Sequence, residues 1–245
     1  MAVVDRLRER VPTRRFSSRV APAPEARPHE GERLADHYRR MAQESYQPRP
    51  VDAVLRTLDV AIAGTALCVL SPILTAVAAA VRLDSEGPAL YRGLRVGRAG
   101  SLFTMFKFRT LTTDAEHRLG PYLGETLTRM TADEVTRVGR LLRATHLDEL
   151  PQLLNVLAGD MSLVGPRPIR PAFFEELCEG IPQYWQRLVV APGMTGFAQL
   201  RITREDTWSD KLGHDLEYIA DRSVALYLSI ILVTARDIPR RARAG

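Results

Sequence analysis

The chain has 245 residues, of which 45% are hydrophobic and 26% are charged, and this composition excludes a fully disordered or collagen-like polymer. Its two cysteines, Cys68 and Cys178, lie far apart and outside any Cys-x-x-Cys or histidine cluster. This arrangement argues against a disulfide scaffold or structural zinc and fits a reducing compartment.

The net charge is +5, but residues 1–50 hold 11 arginines against 7 acidic residues. Because the remainder is close to neutral, the charge does not indicate a nucleic-acid-binding domain.

The first 48 residues are predicted to form a mostly disordered basic tail. Residues 1–50 contain six of the sixteen prolines and show no sustained apolar period. Such a segment cannot bury enough apolar surface to offset the entropy lost on ordering. We expect a short helix around residues 34–41 within it.

Residues 60–81 form an apolar segment of 22 residues without a charge, which is long enough to enter a membrane. Ser71 and Pro72 interrupt its middle, where proline removes a backbone hydrogen bond and a serine hydroxyl can bond back to the chain. Arginines flank both ends, so the positive-inside rule places both ends in the cytoplasm. A re-entrant helix that breaks at Ser71-Pro72 satisfies both observations and a kinked span only the first; the residues alone leave both open.

After this segment, the pattern predicts a mostly helical α+β domain with a small β-hairpin. Its expected elements are strands over residues 89–96 and 102–111, short helices over 138–144 and from Leu150 to 157, a helix over 172–188, a short strand over 197–202, and an amphipathic helix over 215–236.

Several cations in this domain suit an anionic ligand. Alternation along the second strand places Lys107 and Arg109 on one face. Lys107 is one of only two lysines beside 32 arginines, so a lysine could be specifically needed there, with chance as the alternative. Arg167 lies between Pro166 and Pro168, whose fixed φ angles stiffen the loop. A stiff loop favours a phosphate clamp, although a solvated surface turn is the plainer alternative.

Asp148 and Glu149 are adjacent, so their side chains diverge and do not form a facing pair of carboxylates. Asp148 precedes a predicted helix and could cap it, or it could act as a nucleophile beside a bound phosphate. An ordinary capping aspartate with an exposed Glu149 is the competing interpretation. His146 could be a general base, but we favour a solvent or packing role.

Taken together, the motifs of the chain resemble the bacterial sugar transferase family, the monotopic phosphoglycosyl transferases. The resemblance covers residues 50–237, with the motifs in the right order and spacing. The matching motifs are KFRTL at 107–111, TRVGRLLR at 136–143, LDELPQ at 147–152 with Asn155-Val156, GDMSLVGPRP at 159–168, and PGMTG at 192–196. Two positions depart from the pattern: His146 replaces a usual serine, and Glu134 replaces a common basic residue.

For the architecture, the resemblance implies a monotopic membrane protein held in one leaflet by a re-entrant helix broken at Ser71-Pro72. The expected division is a basic tail over 1–48, the membrane helix over 49–84, a cytoplasmic catalytic domain over 85–237 and a C-terminal tail over 238–245. The expected location is the cytoplasmic face of the bacterial inner membrane.

For the activity, the resemblance implies transfer of a sugar-1-phosphate from a UDP-sugar to undecaprenyl or decaprenyl phosphate, initiating exopolysaccharide or other glycoconjugate assembly. It implies Mg²⁺, a ping-pong mechanism and release of UMP. Asp148 would be the nucleophile and Glu149 the metal ligand. The phosphates would contact Lys107, Arg143, Arg167 and, by its place on the strand, Arg109. Membrane lipid is an expected partner and nucleic acid is not; self-association is left open.

Two other functions remain to be weighed. The first is a membrane-tethered DNA-binding protein with a helix-turn-helix over residues 137–157, against which the near-neutral charge after residue 50 counts. The second is a non-catalytic membrane scaffold, in which Asp148, Lys107 and Arg167 would be dispensable.

Overall fold

A computed structural model describes residues 34–113, 115, 132–201 and 207–241. The helices are α1 (Leu34–Ser45), α2 (Pro50–Asp84), α3 (Arg137–Thr145), α4 (Gln152–Ala158), α5 (Pro171–Gly180), α6 (Phe197–Arg201), α7 (Trp208–Asp221) and α8 (Val224–Arg241). The strands are β1 (Leu90–Val96), β2 (Leu102–Phe108), β3 (Ser162–Val164) and β4 (Gly193–Thr195). The predicted α+β class, mostly helical with a small hairpin, is confirmed.

Helix α1 packs onto the body of the protein, although it lies inside the segment predicted to be mostly disordered. The short helix expected there is present and longer than predicted. Tyr38 and Ala42 are buried in a cluster with Phe174 and Trp185. Residues that precede the apolar segment therefore share a core with residues that follow it. Residues 1–33 lie outside the described residues.

Helix α2 contains the apolar segment and is 35 residues long. Within the described ranges it is the one helix long and apolar enough to cross a membrane. It remains α-helical through Pro72, so the expected helix break is not shown. The hydroxyl of Ser71 donates to the carbonyl of Cys68 at 2.9 Å. That carbonyl stands four residues before Pro72 and lacks the usual N–H partner, so the serine supplies the missing donor, as predicted.

The first half of α2 is fixed to the rest of the fold by polar contacts. Arg222 holds Asp52 through its Nε at 2.6 Å from Oδ1, and Arg56 donates to the carbonyl of Leu157 at 2.9 Å. Asp59 is 3% exposed and accepts hydrogen bonds on one oxygen, Oδ1. Its donors are the Ser162 hydroxyl at 3.0 Å, the Leu163 N–H at 2.8 Å and the Tyr227 hydroxyl at 2.7 Å.

The other end of α2 is held by the same body. Asp84 accepts from the N–H of Val138, the second residue of α3, at 2.9 Å. Val81 is 2% exposed and packs with Phe108 of β2 and Leu142 of α3. Both ends of the apolar helix therefore contact one globular domain.

The sheets are small. Strands β1 and β2 form the predicted antiparallel hairpin, with Tyr91 opposite Lys107, and β3 pairs with β4 in parallel. Along β2, Phe103 and Met105 are buried in one cluster and Phe108 in another. This pattern agrees with the predicted alternation.

Three predicted elements are wrong in part. The strand expected over 197–202 is helix α6, because a short apolar run does not by its period distinguish the two structures. The helix expected over 172–188 ends at Gly180, since Pro182 cannot continue it, and a 3₁₀ turn, Tyr184–Val189, follows. The helix expected over 215–236 is two helices, α7 and α8, separated where Arg222 turns to bind Asp52. Helix α8 continues past the expected boundary at 237.

Candidate active site

The adjacent carboxylates lie on a tight turn between α3 and α4. Helix α3 ends at Thr145 and is followed by the C-cap residue His146, whose φ of 56° is left-handed, and a 3₁₀ turn spans Leu147–Glu149. Pro151 occupies the N-cap position of α4, so the capping role considered for Asp148 is wrong. Asp148 is only 9% exposed, and within the described part of the chain no hydrogen-bond donor contacts its carboxylate.

Glu149 binds the lysine that sequence analysis singled out. The Nζ of Lys107 lies 2.5 Å from Glu149 Oε1, and Nη2 of Arg167 lies 3.5 Å from the same oxygen. Burial alone raises the pKa of Glu149, but the charges of Lys107 and Arg167 outweigh it and leave the pKa below its ordinary value. Glu149 therefore stays ionised at neutral pH.

Asp148 has the opposite shift. Burial raises its pKa and the charge of Glu149 adds to the rise, while Lys107, His146 and Arg143 oppose it. Neighbouring carboxylates whose pKa values are pushed apart are typical of sites with divided roles. Here one carboxylate is held by cations and the other has none of its hydrogen-bonding capacity filled by described residues.

Arg143 reaches the site from α3. Its Nε donates to the hydroxyl of Thr110 at 3.0 Å, and burial lowers its pKa while Asp148 raises it. Helix α3 lies close against the end of β2, because a Cβ at Gly139 would overlap the carbonyl of Thr110. The Thr136 hydroxyl caps the helix by accepting from the Gly139 N–H at 2.9 Å. The motif at 136–143 thus places Arg143 beside the carboxylates.

Asn155 fixes α4 to the edge of β2. Its amide donates to the Thr104 carbonyl at 2.7 Å and accepts from the Phe106 N–H at 3.0 Å, so the side chain takes the place of a neighbouring strand. Asn155 is 1% exposed. This contact aligns the turn Leu147–Glu149, the candidate catalytic turn, with Lys107, which follows Phe106 in the strand.

The Arg167 loop is held by close backbone contacts. Gly193 donates its N–H to the Pro166 carbonyl at 2.9 Å, and Gly165 donates to the Thr195 carbonyl at 2.9 Å. A Cβ at Gly193 would overlap the backbone N of Gly165. The PGMTG motif therefore supports the loop that carries Arg167.

Arg109 has a different environment from the other predicted phosphate-binding cations. Its Nη1 and Nη2 donate to the hydroxyl and carbonyl of Ser85 at 2.6 and 2.9 Å, and its Nε donates to the Pro88 carbonyl at 2.7 Å. It is 7% exposed and fastens the chain that leaves α2. Its contact with a phosphate stays a prediction.

The residues present fit a Mg²⁺ ion only together with a substrate. The described residues contain no cluster of three or more His, Cys, Asp or Glu side chains able to hold a metal alone. Mg²⁺ usually binds one or two carboxylates and the phosphates of its substrate. Glu149, ionised and on the candidate catalytic turn, suits that donor set.

Three buried charged residues were missed in the sequence. Asp59 and the pair Arg187 and Asp215 are buried charges, and nothing in local patterning predicts the partners that the fold provides. The motifs beside them were visible, but the long-range contacts were not.

Comparison with known proteins identifies the family. The family model of the bacterial sugar transferase matches residues 51–241. The chain belongs to the bacterial sugar transferase family. The relatives include a UDP-glucose:undecaprenyl-phosphate glucose-1-phosphate transferase of Caulobacter vibrioides, 42% identical over 193 residues, which are 77% of this chain and 70% of that protein.

Two other relatives of this sugar transferase differ in length. The exopolysaccharide production protein PSS of Rhizobium leguminosarum bv. phaseoli is 39% identical over 75% of this chain and 94% of that protein. A UDP-N-acetylgalactosamine-undecaprenyl-phosphate N-acetylgalactosaminephosphotransferase of Aeromonas hydrophila is 35% identical over 83% of this chain but 48% of that protein. The chain thus spans from about half to nearly all of these relatives.

Proposed function

We propose that this sugar transferase moves a sugar-1-phosphate from a UDP-sugar to a polyprenyl phosphate and releases UMP, as a first step of exopolysaccharide assembly. The observation that carries the proposal is Asp148, a buried carboxylate without a donor among the described residues, in the field of Lys107 and Arg143. The names of the relatives supply the substrate classes.

In the proposed reaction, an oxygen of Asp148 attacks the phosphorus next to the sugar. The bond from that phosphorus to the bridging oxygen breaks, and UMP leaves with that oxygen and its electron pair. An oxygen of the polyprenyl phosphate then attacks the same phosphorus, and the acyl-phosphate bond breaks with its electrons returning to Asp148. The product is a polyprenyl diphosphate sugar, and the kinetics are ping-pong.

The cations make this chemistry feasible, since an anionic nucleophile approaches anionic phosphates. Lys107, Arg143 and Arg167 would hold the phosphates and balance the charge that develops in the transition state. Glu149 would hold Mg²⁺ against the diphosphate. When bound, that ion supplies further charge neutralisation.

The enzymatic test follows UMP. Purified protein in detergent, supplied with a panel of UDP-sugars, Mg²⁺ and polyprenyl phosphate, should release UMP with one or more of them. With no acceptor, a sugar-labelled donor should leave label on the protein in an amount limited to one per chain. Asp148→Asn should abolish both signals. Retained turnover in that variant would remove Asp148 from the nucleophile role.

We also propose that α2 is re-entrant and that the catalytic domain lies on the cytoplasmic face. The support is that α1, which precedes α2, packs in one cluster with residues that follow it, and that both ends of α2 bond to one domain. A single span would place α1 and that cluster on opposite sides of the bilayer. Pro72 provides the point at which the helix can bend.

Single-cysteine labelling tests this topology. Ser45→Cys and Ser101→Cys, each in a background with Cys68→Ser and Cys178→Ala, mark positions before and after α2. A membrane-impermeant maleimide added to intact cells should label neither site, and both should react after permeabilisation. Labelling of one site alone would establish a full span.

The helix-turn-helix alternative is disfavoured by the packing. Helix α4 would be the recognition helix, but Gln152, Leu153, Asn155 and Val156 are all buried. A helix whose polar and apolar residues are both enclosed offers too little surface to read a DNA groove.

A further inference from the structure

A buried ion pair lies behind the Arg167 loop, and the proposed mechanism does not use it. Arg187, in the 3₁₀ turn Tyr184–Val189, is 5% exposed, and Asp215 in the middle of α7 is 3% exposed. Nη2 of Arg187 lies 2.7 Å from Oδ2 of Asp215. Such pairs contribute little net stability, because the cost of desolvating two charges is comparable with their attraction. The other hydrogen bonds of the Arg187 guanidinium therefore indicate what the pair does.

Those contacts lead to the active site. Nη2 of Arg187 also donates to the backbone carbonyl of Arg167 at 2.9 Å, and Nη1 donates to the hydroxyl of Tyr184 at 3.0 Å. A guanidinium is planar and rigid, so the acceptors of its terminal nitrogens are held in a fixed relation. The Arg167 carbonyl is thus located relative to Asp215 and Tyr184.

The Arg167 side chain needs such an anchor. It is 56% exposed, and its Nη2 lies 3.5 Å from Glu149, so few contacts restrict it. Pro166 and Pro168 limit the backbone angles of the loop but do not set its distance from the catalytic turn. The bond from Arg187 is made to the very residue whose side chain faces Glu149.

We propose that Arg187, oriented by Asp215, is a positioning residue that holds the Arg167 backbone so that its guanidinium meets the phosphates of the nucleotide sugar. The inference rests on the proposed function, because Arg167 has this task only if the site binds a diphosphate. Arg187 is buried and acts through Arg167 without touching the substrate.

The first test is Arg187→Lys, which keeps the charge but cannot reach the Asp215, Tyr184 and Arg167 acceptors together. We expect kcat/KM for the UDP-sugar to fall about 10- to 100-fold, mainly through KM. If the two arginines act together, Arg187→Lys added to Arg167→Ala should lower kcat/KM little further. Independent action would instead multiply the two losses and overturn the proposal.

Arg222→Lys is the matched control. Arg222 is also buried, at 7% exposed, pairs with a carboxylate and donates to a backbone carbonyl, that of Ile219, but it binds α2 and not the Arg167 loop. It should lower thermal stability while KM stays within twofold of wild type. Equal KM changes in the Arg187 and Arg222 variants would show that Arg187 is merely structural.

Tyr184→Phe keeps the test usable if Arg187→Lys does not fold, because it removes only one bond to the guanidinium. It should raise KM by a few-fold, and an unchanged KM would count against the proposal.

Binding of UDP by calorimetry separates this inference from the proposed function. If wild type binds UDP but releases no UMP, the proposed function fails, and the inference stands only if the variants weaken UDP binding.

Discussion

Two buried aspartates of this sugar transferase have opposite surroundings. Asp59, in the apolar helix α2, is 3% exposed and accepts three hydrogen bonds at 2.7–3.0 Å. Asp148, on the candidate catalytic turn, is 9% exposed, and no described residue donates a hydrogen bond to it. Nearby cations oppose the effect of burial on its pKa but do not outweigh it.

Under the proposed mechanism, the difference separates a structural carboxylate from the nucleophile. Three hydrogen bonds occupy Oδ1 of Asp59 and fasten α2 to β3 and α8. Asp148 keeps its electron pairs available for an electrophile. Both residues are buried, and their hydrogen-bond partners distinguish the anchor from the proposed nucleophile.

The largest effect that tests this comparison is expected from removing the charge of Lys107, which acts most strongly on both Asp148 and Glu149. Lys107→Met should lower kcat by about 10²- to 10³-fold, because the developing charge loses a partner. Steady-state UMP release measures it. The only other lysine, Lys211, lies over the Trp208 ring, 4.1 Å from its centroid, so Lys211→Met serves as the control and should keep wild-type kcat. A similar loss in both variants would contradict a specific role for Lys107.

Removing the carboxylate of Asp59 should act on stability instead. Asp59→Ala leaves three donors unpaired and should lower the free energy of unfolding by about 3 kcal/mol, measured by denaturant unfolding in detergent. Asp59→Asn retains an acceptor oxygen and should cost less. Both variants should keep the wild-type kcat per folded molecule. A large kcat loss in Asp59→Asn would end the distinction between the two aspartates.

A smaller change sharpens the assignment of Asp59 as an anchor. Tyr227 is fully buried and donates to Asp59 at 2.7 Å; burial, and then this bond, raise the pKa of the Tyr227 hydroxyl. Tyr227→Phe removes one donor of three and should lower the free energy of unfolding by about 1 kcal/mol. The same substitution in Asp59→Ala should cost clearly less, since the acceptor is already absent.

How far the sequence predicted this molecule depends on how far apart in the chain the partners lie. The hairpin of β1 and β2 and the hydroxyl bond of Ser71 rest on neighbours in sequence and were predicted correctly. Family motifs identified Asp148, Glu149 and Lys107 as a set, and the structure brings them together. Strand alternation also grouped Arg109 with Lys107, but the strand ends at Phe108 and Arg109 turns to the chain leaving α2.

Contacts between distant segments were not predictable. Helix α1 has an apolar stripe that is too short to be recognised in the sequence. Its packing against the cluster around Phe174 and Trp185 stabilises it. Arg187 and Asp215 are 28 residues apart in sequence, and neither lies in a motif that suggests the other. Such pairs depend on the packing of whole helices, which local patterns do not encode.

The smallest effect concerns pH and separates stability from activity at Asp148. Because the folded-state pKa of Asp148 is raised, the ionised group destabilises the fold at neutral pH, and this cost disappears as the pH falls below the pKa of the unfolded chain. Asp148→Asn, which carries no charge, should therefore melt at a higher temperature than wild type at pH 7. The difference should shrink on acidification, while other groups titrate equally in both proteins.

UMP release by wild type should fall over the same acidic range, because protonation removes the nucleophile. An Asp148→Asn variant less stable than wild type at pH 7 would mean that the cations compensate the charge fully, and the contrast with Asp59 would be lost.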